Sequence, residues 1–126
     1  MTVTLGEHNG WSLLRVAGEL DMVSAPGVRR AVHELVAEGR RSLVLDLSEV
    51  EFCDSTGIGM LVAARRLMRS CAGRMRLVLP ARESHVNRVL AAMGVRRLFD
   101  IHPDPDTATL ERPQDDLGER PVRRSA

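Results

Sequence analysis

Lysine and tyrosine are absent from this 126-residue chain, and aromatic residues make up only 2% of it. Without Lys, a phosphate-binding loop of the Gly-rich, Lys-ended kind is excluded. One Trp and two Phe leave no aromatic platform on which bases could stack. A net charge of +1 gives no electrostatic footprint for nucleic acid or an acidic membrane. Every basic residue other than His is Arg, which reads as genome composition, although guanidinium groups do favour planar acidic partners. Cys53 and Cys71 are the only cysteines. Two such residues, with no charged leader over Met1–Leu5 and no apolar run of membrane-spanning length, imply reduced thiols in a cytoplasmic protein. They are too few and too far apart to hold a metal, and His8, His33, His85 and His102 form no HxH or HxxxH pair. These histidines fall on turns and polar helix faces, and His33 and His85 read as solvated.

What is present suits one α/β domain. Hydrophobic residues reach 44%, enough for a core of Leu, Val, Ala and Met. Thr2–Leu5 alternates as a short edge strand, His8-Asn9-Gly10 signals a turn, and Trp11–Ala17 reads as a second strand in a hairpin. Gly18-Glu19-Leu20-Asp21 is expected to leave the sheet, with Ser24 as N-cap and Pro26 in the first turn of a helix that stops at Gly39. Leu43–Leu47 is apolar almost throughout, as a central strand is. Asp46 within it is expected to reach a loop or cap a helix near the strand end. Met75–Leu79 is a further strand, Glu83–Met93 a helix and Leu98–Ile101 a last strand. Alternating strands and helices predict a mixed, mainly parallel sheet of about five strands with helices packed on it. From residue 104 to 126 proline and charge dominate. That segment is expected to be a largely disordered tail with at most one or two helical turns at Asp106–Glu111, giving a domain of residues 1–103.

The chain is organised around Phe52-Cys53-Asp54-Ser55-Thr56-Gly57-Ile58-Gly59, between the central strand and a helix reaching Cys71. Asp54, Ser55 and Thr56 are all helix-capping types. Gly57 and Gly59 leave the first turn bare, so a hydroxyl there sits accessibly at the positive end of a helix dipole. At about 100° per residue, Met60, Leu61, Ala64, Leu67, Met68 and Cys71 make the core stripe. Ile58, Val62, Arg65 and Arg69 fall opposite, so Ile58 and Val62 are expected to be exposed beside Ser55 as a partner surface.

Asp54-Ser55-Thr56-Gly57-Ile58-Gly59 after a buried strand, with Gly18-Glu19-Leu20-Asp21 upstream, resembles the STAS domain, and most of all the bacterial anti-sigma factor antagonists. The resemblance runs from about Thr2 to Ile101. It implies a STAS-like sheet and a partner switch. The unphosphorylated protein would bind an anti-sigma factor that is also a serine kinase, with ATP held by that partner, and so free a sigma factor. Phosphorylation would fall on Ser55, the first hydroxyl after the Asp of the motif, and a serine phosphatase would reset it. Thr56 would be the neighbouring cap. Contacts are implied at Asp21, Asp54, Ser55, Thr56, Gly57, Ile58, Gly59, Val62 and Arg66, with no cofactor, no direct nucleic acid and no membrane. STAS domains usually close with a longer amphipathic helix than residues beyond His102 could form.

An enzyme is not indicated. Gly57-Ile58-Gly59-Met60-Leu61-Val62 fails the dinucleotide fingerprint at its third glycine, and Ser55 lacks the Gly-x-Ser-x-Gly surround of a nucleophile elbow. Alternatives are a STAS scaffold or lipid-transport accessory module that is never phosphorylated, a small α/β enzyme acting at residues 54–59, and a redox sensor at Cys53.

Overall fold

The computed structural model describes residues 1–79 and 84–113. Strand β1 (Thr2–His8) turns through Asn9 and Gly10 into β2 (Trp11–Leu20), with His8 opposite Trp11. Both turn residues have positive φ, 52° and 85°, the geometry of a two-residue hairpin turn that Asn-Gly suits. Helix α1 (Ala25–Ala37), strand β3 (Ser42–Cys53), helix α2 (Ser55–Ser70) and strand β4 (Arg74–Val78) follow. Helix α3 (His85–Ala92), a 3-10 turn (Arg96–Leu98), strand β5 (Asp100–His102) and a single turn, α4 (Pro105–Ala108), complete it. The strands lie in the order β1-β2-β3-β4-β5. The first pair is antiparallel and the rest are parallel. This is the expected mixed, mainly parallel five-stranded sheet.

The period of two along each strand sends alternate residues to opposite faces. Leu14 and Val16, Leu43, Leu45 and Leu47, and Leu77 and Leu79 join the large apolar layer that also holds Val28, Leu61 and Leu90 of the three long helices. Trp11, Leu13, Val44 and Val78 face the other way and gather around Ala108. Gly39 and Gly94, at φ 88° and 71°, end α1 and α3. The N–H groups of Arg40 and Val95 close back to the carbonyls of Leu35 and Leu90, the Schellman closure.

Several boundaries differ from the sequence-based expectation: β1 runs on to His8, and the last strand is Asp100–His102 rather than Leu98–Ile101, because Leu98 belongs to the 3-10 turn before it. Strands β2 and β3 run on to Leu20 and Cys53, because β3 accommodates an extra residue at each of two irregularities, opposite Arg15–Ala17 and opposite Gly18–Glu19. Asp46 is therefore mid-strand and buried rather than near an end. Its carboxylate accepts the Ser48 N–H at 3.0 Å and faces Arg15 at 3.4 Å on the lightly covered face.

The domain does not stop at residue 103. Ala108 and Thr109 are buried, and residues 104–113 cross the face opposite the helices. The Trp11 indole donates to the Glu111 carbonyl at 2.9 Å, and the Asn9 amide donates to the Thr109 hydroxyl at 2.9 Å. The guanidinium groups of Arg74 and Arg76 each lie 4.8 Å from the Trp11 ring centre, within cation–π range, and both meet the Glu111 carboxylate. Composition hid this because backbone and charge, not apolar side chains, make most of the contact. Residues 114–126, the rest of the expected tail, lie outside the described residues.

Candidate functional site

The parallel register carries the ends of β2 and β3 to the same edge, with Glu19 opposite Phe52 and Leu20 opposite Cys53. The Asp54 N–H then donates to the Leu20 carbonyl at 3.2 Å. The β2–α1 loop and the β3–α2 junction are thereby fastened together, and Asp21 lies on the same edge of the sheet as Ser55.

Asp54 is the N-cap of α2, its backbone extended and its carboxylate accepting the Gly57 N–H at 2.9 Å. Ser55 and Thr56 follow as the first helical residues, both exposed. Neither hydroxyl bonds to a described residue. Of the three capping types at this junction, Asp54 alone caps, and Thr56 does not take the capping role the resemblance implied. The Ser55 hydroxyl is left free at a helix N-terminus, where the dipole favours negative charge.

Gly57 is not a bare surface position. It is buried, and a Cβ there would meet the Leu20 carbonyl oxygen at 2.4 Å and the Cys53 sulfur at 2.8 Å. This close approach pulls the first turn of α2 into the apolar layer, and Ile58 goes with it, only 1% exposed. The expectation that Ile58 is exposed is thus overturned, and Gly57 is buried beside it. Val62 and Arg65 are half-buried. The open ridge of α2 runs instead through Ser55, Thr56, Gly59, Arg66 and Arg69, all exposed. A Cβ on Gly59 would meet nothing within 4 Å.

The exposed apolar side chains of this edge come from elsewhere. Met22 is 70% exposed and Val23 85%. The Asp21 carboxylate shapes their loop by accepting the N–H groups of Val23 and Ser24 at 3.0 and 3.1 Å. Those bonds, the one from Ser24 first, hold its carboxyl below the usual carboxylate range. Ser24 occupies the N-cap of α1 without capping it. Its hydroxyl donates to the Glu19 carbonyl at 2.7 Å and accepts from the Asp21 N–H at 2.9 Å. Sequence patterning missed Met22 and Val23 because a two-residue apolar step inside a loop has no period.

Phe52 and His85 were also not anticipated. Their rings stack with centroids 5.0 Å apart, and His85 Nε2 lies 3.1 Å from the Cys53 carbonyl oxygen. His85 is therefore not a solvated residue but a prop for the end of β3. Cys53 itself is 1% exposed, and burial, with Asp54 adding repulsion, pushes its thiol up to about 12. A thiol so rarely ionised is a poor redox sensor. Among the described residues no cluster of His, Cys, Asp or Glu could hold a metal ion. No helix among them is long and apolar enough to cross a membrane.

Comparison with known proteins agrees with this geometry. The family model for the STAS domain matches residues 2–108. The chain is 34% identical over 101 residues to the anti-sigma-F factor antagonist RsfB of Mycobacterium tuberculosis, covering 80% of each protein. It is 32% identical over 88 residues to the anti-sigma-B factor antagonist of Bacillus subtilis, covering 70% of this chain and 75% of that one. A crystal structure of an anti-sigma factor antagonist from Mycobacterium paratuberculosis superposes with a TM-score of 0.74 at 33% identity, covering 85% of this chain and 89% of the other. A family model that spans most of the chain and relatives at a third identity agree: the chain belongs to the STAS domain family, among the anti-sigma factor antagonists.

Proposed function

We propose that this protein binds an anti-sigma factor in its unphosphorylated form and so releases a sigma factor, and that phosphorylation of Ser55 ends the binding. The anti-sigma factor is the serine kinase and brings the ATP, a serine phosphatase restores the hydroxyl, and the exchange takes place in the cytoplasm. The observation that carries the reading is the Ser55 hydroxyl, exposed and unbonded at the start of α2 while Asp54 already occupies the Gly57 N–H.

The physics of the switch is local. A phosphate adds about −1.5 to −2 charges at pH 7. The helix N-terminus accommodates that charge, so the fold survives it. A docked partner does not, because the phosphate would be buried beside the Asp54 carboxylate and the apolar Met22–Val23 loop. A cost of roughly 2.7 kcal/mol already lowers affinity a hundredfold, and desolvating an unpaired charge costs more than that. The contact set is Asp21, Met22, Val23, Ser55, Thr56, Gly59 and Arg66, with Asp54 shaping the junction and Val62 at its margin.

The test has two steps. A Ser55→Ala bait recovers the kinase from native cells, and the purified kinase with ATP then modifies the wild-type chain. One phosphate is expected, on Ser55. Phosphopeptide mapping that finds Thr56 or Ser84 modified and Ser55 empty overturns the assignment.

A further inference from the structure

We propose that the groove between α1 and α2 receives an acidic, apolar-anchored peptide segment of the anti-sigma kinase, an inference that rests on the reading above and adds a second contact to it. The groove opens beside Thr56 and encloses about 610 Å³, a volume that suits a small cluster of ligand side chains. Ala25 of α1 and Gly59 and Ala63 of α2 keep it open, with Met60 along its wall. Its lining atoms are mostly apolar, so an entering segment must bring an apolar anchor.

The rim states the rest of the partner's chemistry. Arg29, Arg30 and His33 border the groove from α1, and Arg66 stands exposed on α2. None of these four meets a carboxylate among the described residues. Other arginines do: Arg15 faces Asp46, Arg40 faces Glu7, and Arg74 and Arg76 face Glu111. Helix α2 contains no acidic residue and α1 contains only Glu34, although the whole chain carries a net charge of only +1. Arg65, Arg69, Arg88 and Arg97 also meet no carboxylate among the described residues, but only Arg29 and Arg30 set such guanidinium groups side by side on the lining of an apolar groove. A neutral segment would leave that charge unused and a basic one would be repelled. Carboxylates flanking an apolar side chain would complete it, since guanidinium groups bind them in a planar, paired geometry. Complementary charge of this kind speeds encounter and selects among partners.

The experiment is a titration of the purified kinase, recovered on the Ser55→Ala bait, against full-length variants checked by thermal melts. Arg29→Glu with Arg30→Glu reverses the rim, Ala63→Phe fills the groove, and Arg88→Glu with Arg97→Glu makes the same charge change at exposed positions elsewhere. The rim and groove variants are expected to bind at least tenfold more weakly. The control is expected to stay within twofold of wild type, and added salt should weaken wild type more than the rim variant. Rim and groove variants that fold and bind like wild type overturn the proposal while leaving the Ser55 reading intact, as does a control that weakens as much as the rim variant. A Ser55→Glu chain that binds as tightly as wild type fails the Ser55 reading instead.

Discussion

The carbonyl oxygen of Leu20 lies where a Cβ of residue 57 would be, 2.4 Å from that ideal position, so only Gly57 lets α2 start against the end of β2. Gly59, one half-turn on, faces open space. Two glycines of one motif therefore do different things, and substitution separates them. Gly57→Ala is expected to lower stability by about 2 kcal/mol, the scale of overpacking a tight contact. Gly59→Ala is expected to raise it by about 0.5–1 kcal/mol, because it exchanges a helical glycine for the best helix former without a collision. Urea unfolding of the two variants checks both signs.

Burial of Ile58 gives a second contrast. Ile58→Asp and Leu61→Asp each place a carboxylate in the apolar layer, at positions 1% and 0% exposed. Both are expected to abolish the cooperative thermal transition, since an unpaired buried charge costs several kcal/mol. Met22→Asp and Val23→Asp are expected to stay within about 0.5 kcal/mol of wild type, as exposed substitutions do. These two should nevertheless weaken kinase binding at least tenfold. Normal binding by both would move the partner off the β2–α1 loop.

The strap formed by residues 104–113 has its own reporter, because Trp11 is the only tryptophan and tyrosine is absent. Truncation at Pro103 is expected to shift Trp11 emission to longer wavelength and to cost more than about 2 kcal/mol of stability, since a buried aromatic face is uncovered. An unchanged emission maximum would mean the strap does not cover the indole.

Acid should loosen that strap in a defined direction. The hydrogen bond and charge of Arg76 hold the Glu111 carboxyl below its ordinary value of 4.5. A depressed carboxyl contributes fully above its unfolded value and loses that contribution as pH falls through the folded one. Trp11 emission is therefore expected to be flat from neutral pH down to about 4.5 and to change only below it. Glu111→Gln, which keeps the carbonyl that Trp11 uses, should remove that step. A step persisting in the variant would assign it to another group.

The chain order of strands and helices, the hairpin at Asn9-Gly10 and a helix start within Asp54-Ser55-Thr56 were all legible in the sequence, since each rests on local chemistry: turn residues, capping side chains and apolar period. Three things were not, and each depends on contacts between distant segments. Alternation in β3 breaks after Leu47 because extra residues are absorbed opposite β2, so charged Glu49 and Glu51 disguised a continuing strand. The side of α2 on which Ile58 lies was set by the approach of Gly57 to Leu20, which a helical wheel of α2 alone cannot contain. The strap looked like a tail because its attachments are Trp11, Arg74 and Arg76, residues from strands remote in the chain. Within the site, the motif residues Asp54, Ser55 and Thr56 stood out by type, whereas Met22, Val23, Phe52 and His85 became visible only once the strand ends were set side by side.

The central claim is that one phosphate on Ser55 switches binding off without unfolding the domain. Its most direct test is a titration of the purified anti-sigma kinase with unmodified chain and with chain phosphorylated on Ser55. The account predicts an affinity at least a hundredfold lower for the phosphorylated form, a penalty of at least roughly 2.7 kcal/mol. Equal affinities for the two forms would contradict it.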